Sequence, residues 1–108
     1  MAFFVVDEVE WADEDRGARR KFLARGEGGF HSQYSELPAG YTIPPHSHDR
    51  DELIVVLDGS CTLLGGGPTL RARDSVVLTA GHEYGLAAGP EGMAFLTIRT
   101  APAAVKFS

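Results

Sequence analysis

Gly40-Tyr41-Thr42-Ile43-Pro44-Pro45-His46-Ser47-His48-Asp49-Arg50-Asp51-Glu52-Leu53-Ile54-Val55-Val56-Leu57-Asp58-Gly59 is the stretch from which the rest of the chain can be read. His46 and His48 stand two apart, so in an extended chain both imidazoles leave the same face, with Cα atoms roughly 6.5 Å apart. Glu52 shares their even parity and opens the apolar run Leu53 to Leu57, so a strand entering there can aim its carboxylate at the same point. Two imidazoles and a carboxylate suit a divalent transition metal of the Fe, Mn, Ni or Zn kind. Pro44-Pro45 restricts the backbone just before the pair, which favours rigid delivery of the ligands.

A bare His-x-His is common on protein surfaces; the frame around this one is specific. Gly40, five residues, His46-x-His48, three residues, Glu52, six residues and Gly59 match the first motif of the cupin superfamily at every fixed position. The chain therefore resembles a small single-domain cupin, over Gly40 to about Leu86. The resemblance implies an all-β fold, a small antiparallel β-barrel of the jelly-roll or double-stranded β-helix type. Its mouth would hold a divalent metal through His46, His48, Glu52 and one more His from a second motif.

That second motif departs from the family pattern of Gly-Asp, an apolar strand, Pro-x-Gly, two residues and a His. Here Arg73 replaces the first Gly, Thr79 the Pro and Tyr84 the ligand His, while His82 stands two residues early. Three readings stay open. The metal keeps three protein ligands and Tyr84 lines the pocket as a hydrogen-bond donor or acid/base; or the loop shifts and His82 supplies the fourth ligand; or the site is degenerate and Tyr84 is a wall residue. Tyr84 and His82 are accordingly the candidate proton carriers.

The 108 residues, 44% hydrophobic with 13 Gly and 6 Pro, fit one β-rich domain over 1–108. Residues 1–17 read as a peripheral N-terminal strand, Ala2 to Val6, and an acidic turn. Asp7 to Asp15 holds six carboxylates, followed at once by Arg16, Arg19, Arg20 and Lys21, a pattern that predicts a solvated turn with local screening. Trp11 is expected on the barrel wall or against a partner subunit. A net charge of −5 argues against nucleic acid. The single Cys61 rules out an intrachain disulfide and reads as a small buried hydrophobe, which points to a reducing cytoplasm. No apolar run approaches a membrane span, and the apolar start is followed by acids instead of completing a signal peptide.

The alternation in Phe30 to Leu37 places His31, Gln33, Ser35 and Leu37 inward, with Ser32, Tyr34 and Glu36 outward. An inner face of His, Gln and Ser suits a pocket for a small polar molecule, with Phe95 as a further wall; the opposite facing would bury Phe30 and Tyr34. Asp58-Gly59 predicts a tight hairpin from Glu52–Leu57 into Ser60 to Leu64. Ala88 to Gly92 reads as a plain turn, Met93 to Thr100 as the closing strand, and Ala101 to Ser108 as a tail, strand-like at Val105 to Phe107.

The resemblance implies a metal-dependent enzyme acting on a small polar organic molecule: an oxygenase, or an isomerase, cyclase or lyase working through a metal-bound enolate. The competing reading is a non-catalytic module that binds or senses a small molecule. The resemblance also implies a homodimer, with Ala2 to Val6 as the expected seam.

Overall fold

The computed structural model describes residues 1–100 and the backbone of Val105–Phe107. Among these are nine strands: β1 Ala12–Asp13, β2 Arg19–Arg25, β3 His31–Leu37, β4 Thr42–His48, β5 Glu52–Leu64, β6 Leu70–Arg71, β7 Ser75–Leu78, β8 Tyr84–Arg99 and β9 Val105–Phe107. All pair antiparallel in one sheet. Its order runs β1-β2-β3-β8-β4-β9, with β5 also on β8 and carrying β6 and β7 on its far edge. The sheet is not closed edge to edge, and its path is that of a jelly roll.

β8 is the organising strand. On one side it pairs first with β4 (Ile43↔Leu86, His46↔Tyr84) and then with β3 (Ser35↔Phe95, Leu37↔Met93). On the other it pairs with β5 along both of that strand's halves, Leu63↔Leu86 and then Val56↔Phe95. At about 3.3 Å per residue, β8 laid straight would run about 53 Å and β5 about 43 Å. The longest axis of the molecule is 38 Å, so both strands must bend. They bend together, where the register slips between Gly59 and Cys61 on β5 and between Ala88 and Met93 on β8. Gly59 has φ 71° and Gly92 φ 78°, backbone that glycine adopts without a Cβ clash.

The predicted hairpin at Asp58-Gly59 is thus a corner instead. Both halves of β5 have β8 as a partner, so neither needs the other. The turn expected at Ala88 to Gly92 is the matching corner in β8.

One core cluster draws on both sides of the corners, with Ile54, Val56 and Cys61 from β5, and Leu86, Met93 and Phe95 from β8. Val56 is 0% exposed. The inward parity of β3 is as expected, with Ser35 and Leu37 buried.

At the N-terminus the expected strand Ala2 to Val6 is absent. The outer edge of β2 is taken by β1, and Met1, Phe3 and Val5 are left exposed. The Val6 carbonyl instead accepts a 2.6 Å bond from Nζ of the buried Lys21. Trp11 lies against the barrel wall, 5.9 Å from the Tyr34 ring, with the Arg19 guanidinium 3.9 Å and Lys21 Nζ 4.5 Å from its ring centre. The tail expected over Ala101 to Ser108 lies outside the described residues except at Val105–Phe107, where β9 pairs with β4.

Candidate functional site

The folding-over of β5 and β8 brings four elements to one buried point. β4 supplies His46 and His48, β5 its first residue Glu52, and β8 both its first residue Tyr84 and its last, Arg99. His46 is 5% exposed, Glu52 3% and Tyr84 8%. The His46 and His48 rings meet edge to face with centroids 4.9 Å apart, and the Tyr84 ring lies 4.4 Å from that of His46.

Hydrogen bonds fix the chemistry of each group. The Pro44 carbonyl can only accept, so His46 Nδ1 at 3.0 Å carries the proton that donates to it. Tyr84 donates its hydroxyl to Glu52 Oε1 at 3.1 Å, and Arg99 Nε donates to Glu52 Oε2 at 2.9 Å. His48 Nε2 stands 3.4 Å from Glu52 Oε2 and 3.4 Å from the Tyr84 hydroxyl; its Nδ1 is buried with no partner. Burial, aided by Arg99 and His46, lowers the His48 imidazole below its ordinary value against the opposing pull of Glu52. The ring is therefore neutral at neutral pH, as a metal ligand must be. Burial, then the charge and hydrogen bond of Glu52, push the Tyr84 phenol well above its ordinary value, so it is a proton donor and not a base.

The donor set suits a divalent ion in its chemistry: two imidazoles, one with Nδ1 held by a backbone carbonyl, a buried carboxylate, and an orphaned ring nitrogen on His48. Its geometry is tighter than an open cage. Among the described residues no three His, Cys, Asp or Glu side chains are grouped so as to enclose an ion. Arg99 already balances the charge of Glu52.

His82 is exposed in the loop before β8, its amide bonded to Thr79 O at 3.0 Å, and Tyr84 is the second-motif residue that joins the cluster. Arg99 escaped the sequence reading. It continues the inward set Met93, Phe95, Thr97 at the end of β8, and a charge at the end of an inward-facing alternation is the signal that would have found it.

A separate cavity of about 430 Å³ opens on the inner face of β2, β3, β4 and β8. It takes in three of the four expected pocket residues, Gln33, Ser35 and Phe95, between the apolar walls of Leu37 and Ile43. His31 is not part of its lining. It opens β3 opposite Arg99 and is half-buried beside the Gly26 turn. The sequence reading missed the cavity's charged rim, where Glu14 and Arg20 form an ion pair.

A family model described as a cupin domain matches residues 33–99, which hold both motifs and every member of the buried cluster. The chain belongs to the cupin family. Among solved structures, this cupin is similar to KdgF from Halomonas sp., at 24% identity and a TM-score of 0.80, covering 94% of this chain and 96% of that one. It is also similar to the polyketide cyclase RemF from Streptomyces resistomycificus, at 20% identity and a TM-score of 0.83, covering 98% and 84%. An RmlC-like cupin from Shewanella frigidimarina gives 19% identity and a TM-score of 0.81, covering 90% and 87%. At these identities the likeness is one of fold. No curated protein matches the sequence.

Proposed function

We propose that this cupin is a metal-dependent enzyme acting on a small polar organic molecule, as an oxygenase or as an isomerase, cyclase or lyase. The observation that carries the reading is the convergence of His46, His48, Glu52 and Tyr84 in one buried cluster beside a cavity of ligand size. His46, His48 and Glu52 would hold a divalent Fe, Mn, Ni or Zn ion, which when bound supplies Lewis acidity toward a substrate oxygen. The residues of the chain do the rest. The His46 Nδ1–H bond to Pro44 holds that ring in place, and the low proton affinity of His48 keeps its ring neutral. Tyr84 holds a proton on its hydroxyl for transfer to a substrate atom. Gln33, Ser35 and Phe95 receive the body of the substrate, with polar groups to orient it and an aromatic wall to exclude water.

A second reading, a binding or sensing module, is favoured by one observation: both oxygens of Glu52 already have protein donors, so the cluster is complete as a hydrogen-bonded unit. Elemental analysis of protein purified without a metal-affinity tag separates the two. Near-stoichiometric metal in the native chain and its loss in His46→Ala are expected, with retention in His82→Ala and Tyr84→Phe. A native chain that takes up none of Fe, Mn, Ni or Zn after reconstitution would sink the enzyme reading and leave the binding module. The same proposal includes a homodimer, supported by the exposed apolar side chains of Met1, Phe3 and Val5.

A further inference from the structure

We infer that the cavity beside the cluster takes a small carboxylate-bearing molecule, with the Arg20 guanidinium as its anchor and the Glu14 carboxylate as an internal occupant that the ligand displaces. The inference rests on the reading of this chain as a small-molecule cupin and adds the class of the molecule.

The register carries the first step. Arg20 pairs with Ser35 across β2 and β3, so it shares the inward face with Ser35 and Gln33 and lines the same cavity. Its guanidinium lies 4.8 Å from the centre of the Phe22 ring, which steadies the group without using its hydrogen-bond donors. Its Nε is buried against Glu14 Oε1, its ion-pair partner. A guanidinium fork that already holds a side-chain carboxylate at the rim of a cavity is built to receive another planar carboxylate in its place.

Glu14 marks where that carboxylate goes, because it is itself a carboxylate lining the cavity and paired with Arg20. It is also easily moved. Its side chain is 37% exposed, and an ion pair this wet contributes little net stability. The turn that follows is pinned by Glu14 N–H to Ala18 O at 2.8 Å, Tyr41 OH to Asp15 Oδ1 at 2.8 Å and Arg16 Nη2 to Thr42 O at 3.1 Å, so the backbone stays in place and only the Glu14 side chain has to swing out. Below the ion pair, Leu37, Ile43 and Phe95 form apolar walls, and Gln33 and Ser35 offer hydrogen bonds to a substituent. The cavity thus fits a molecule with an acid at one end and a compact, partly apolar body.

The test is calorimetric titration of acetate, benzoate and phenylacetate, each beside its neutral amide, into the native chain and into Arg20→Gln, Glu14→Gln and His46→Ala. We expect at least one acid to bind at least about tenfold tighter than its amide. Arg20→Gln should weaken that acid by at least about tenfold, and Glu14→Gln should tighten it by a similar factor. The inference is overturned if no acid binds saturably at millimolar concentration, if acid and amide bind alike, or if Glu14→Gln leaves affinity unchanged. Because Glu14 is exposed, that variant decides even where Arg20→Gln fails to fold. His46→Ala keeps the two readings apart. Acid binding that persists there while the native chain holds no metal sinks the metalloenzyme and leaves this site standing; metal uptake without acid binding does the reverse.

Discussion

Tyr84 bonds one oxygen of Glu52 and Arg99 the other, so the charge that would attract a metal is shared with a guanidinium 2.9 Å away. Two unit charges about 4 Å apart at an effective dielectric of about 20 interact by about 4 kcal/mol, so removing the cation should matter to an incoming dication. Arg99→Gln is therefore expected to bind Mn or Zn at least about tenfold more tightly than the native chain, read by calorimetric titration; unchanged affinity would mean that the pair opens freely. The tyrosines give a second residue-scale prediction. Burial and a 2.6 Å bond to Glu36 push the Tyr34 phenol up to about 12, burial and Asp15 raise Tyr41, and burial and Glu52 raise Tyr84. The folded chain thus keeps protons that the unfolded chain releases near pH 10, so stability falls as pH rises above about 10. The phenolate absorbance of Tyr34 and Tyr84 should appear only in step with the loss of circular dichroism, and more than one tyrosine ionising near 10 in the folded protein would contradict this. His46, His48 and Glu52 were legible at this scale because a period of two and a glycine frame are written in the chain itself. Arg99 and Arg20 were not, because an arginine on a short strand looks the same whether it faces water or the interior.

The corners explain why the motif glycines are glycines, and they rank them. A Cβ on Gly59 would run into the carbonyl of Gly92, and a Cβ on Gly92 would stand 2.6 Å from the carbonyl of Leu37. Gly40 has φ 70° but nothing within 4 Å of an added Cβ. Gly40→Ala should cost only the left-handed backbone strain, about 1 kcal/mol, whereas Gly59→Ala adds a backbone collision and should cost about 3 kcal/mol or more. Denaturant unfolding of the two variants checks the order, and equal losses would show that the corner can relax. The sequence reading placed a bend at Asp58-Gly59 correctly but gave it the wrong partner. A dipeptide specifies a local turn, while the choice between pairing with the next segment and pairing with β8 is made by residues far along the chain.

For the whole molecule, the exposed apolar arm is the feature that a single chain does not use. A chain lacking residues 1–5 keeps the Val6 carbonyl that caps Lys21, so it should fold. If the arm forms the dimer seam, light scattering will find the truncated chain monomeric where the native chain is dimeric, and an unchanged mass would remove the arm from the interface. The family and the all-β architecture were legible from one motif, because its spacing implies strands at fixed distances. The site's closure was not, because it joins groups 47 and 32 positions apart, Arg99 and Tyr84 to Glu52. Those two bonds tie the first and last residues of β8 to a single side chain, and so act as a reversible crosslink between the two ends of one folded-over strand. The amides flanking Glu52, Tyr84 and Arg99 should then exchange with solvent deuterium as one cooperative unit. Anything that occupies the cluster would register as slower exchange along the whole of β8, readable by mass spectrometry before any reaction is known.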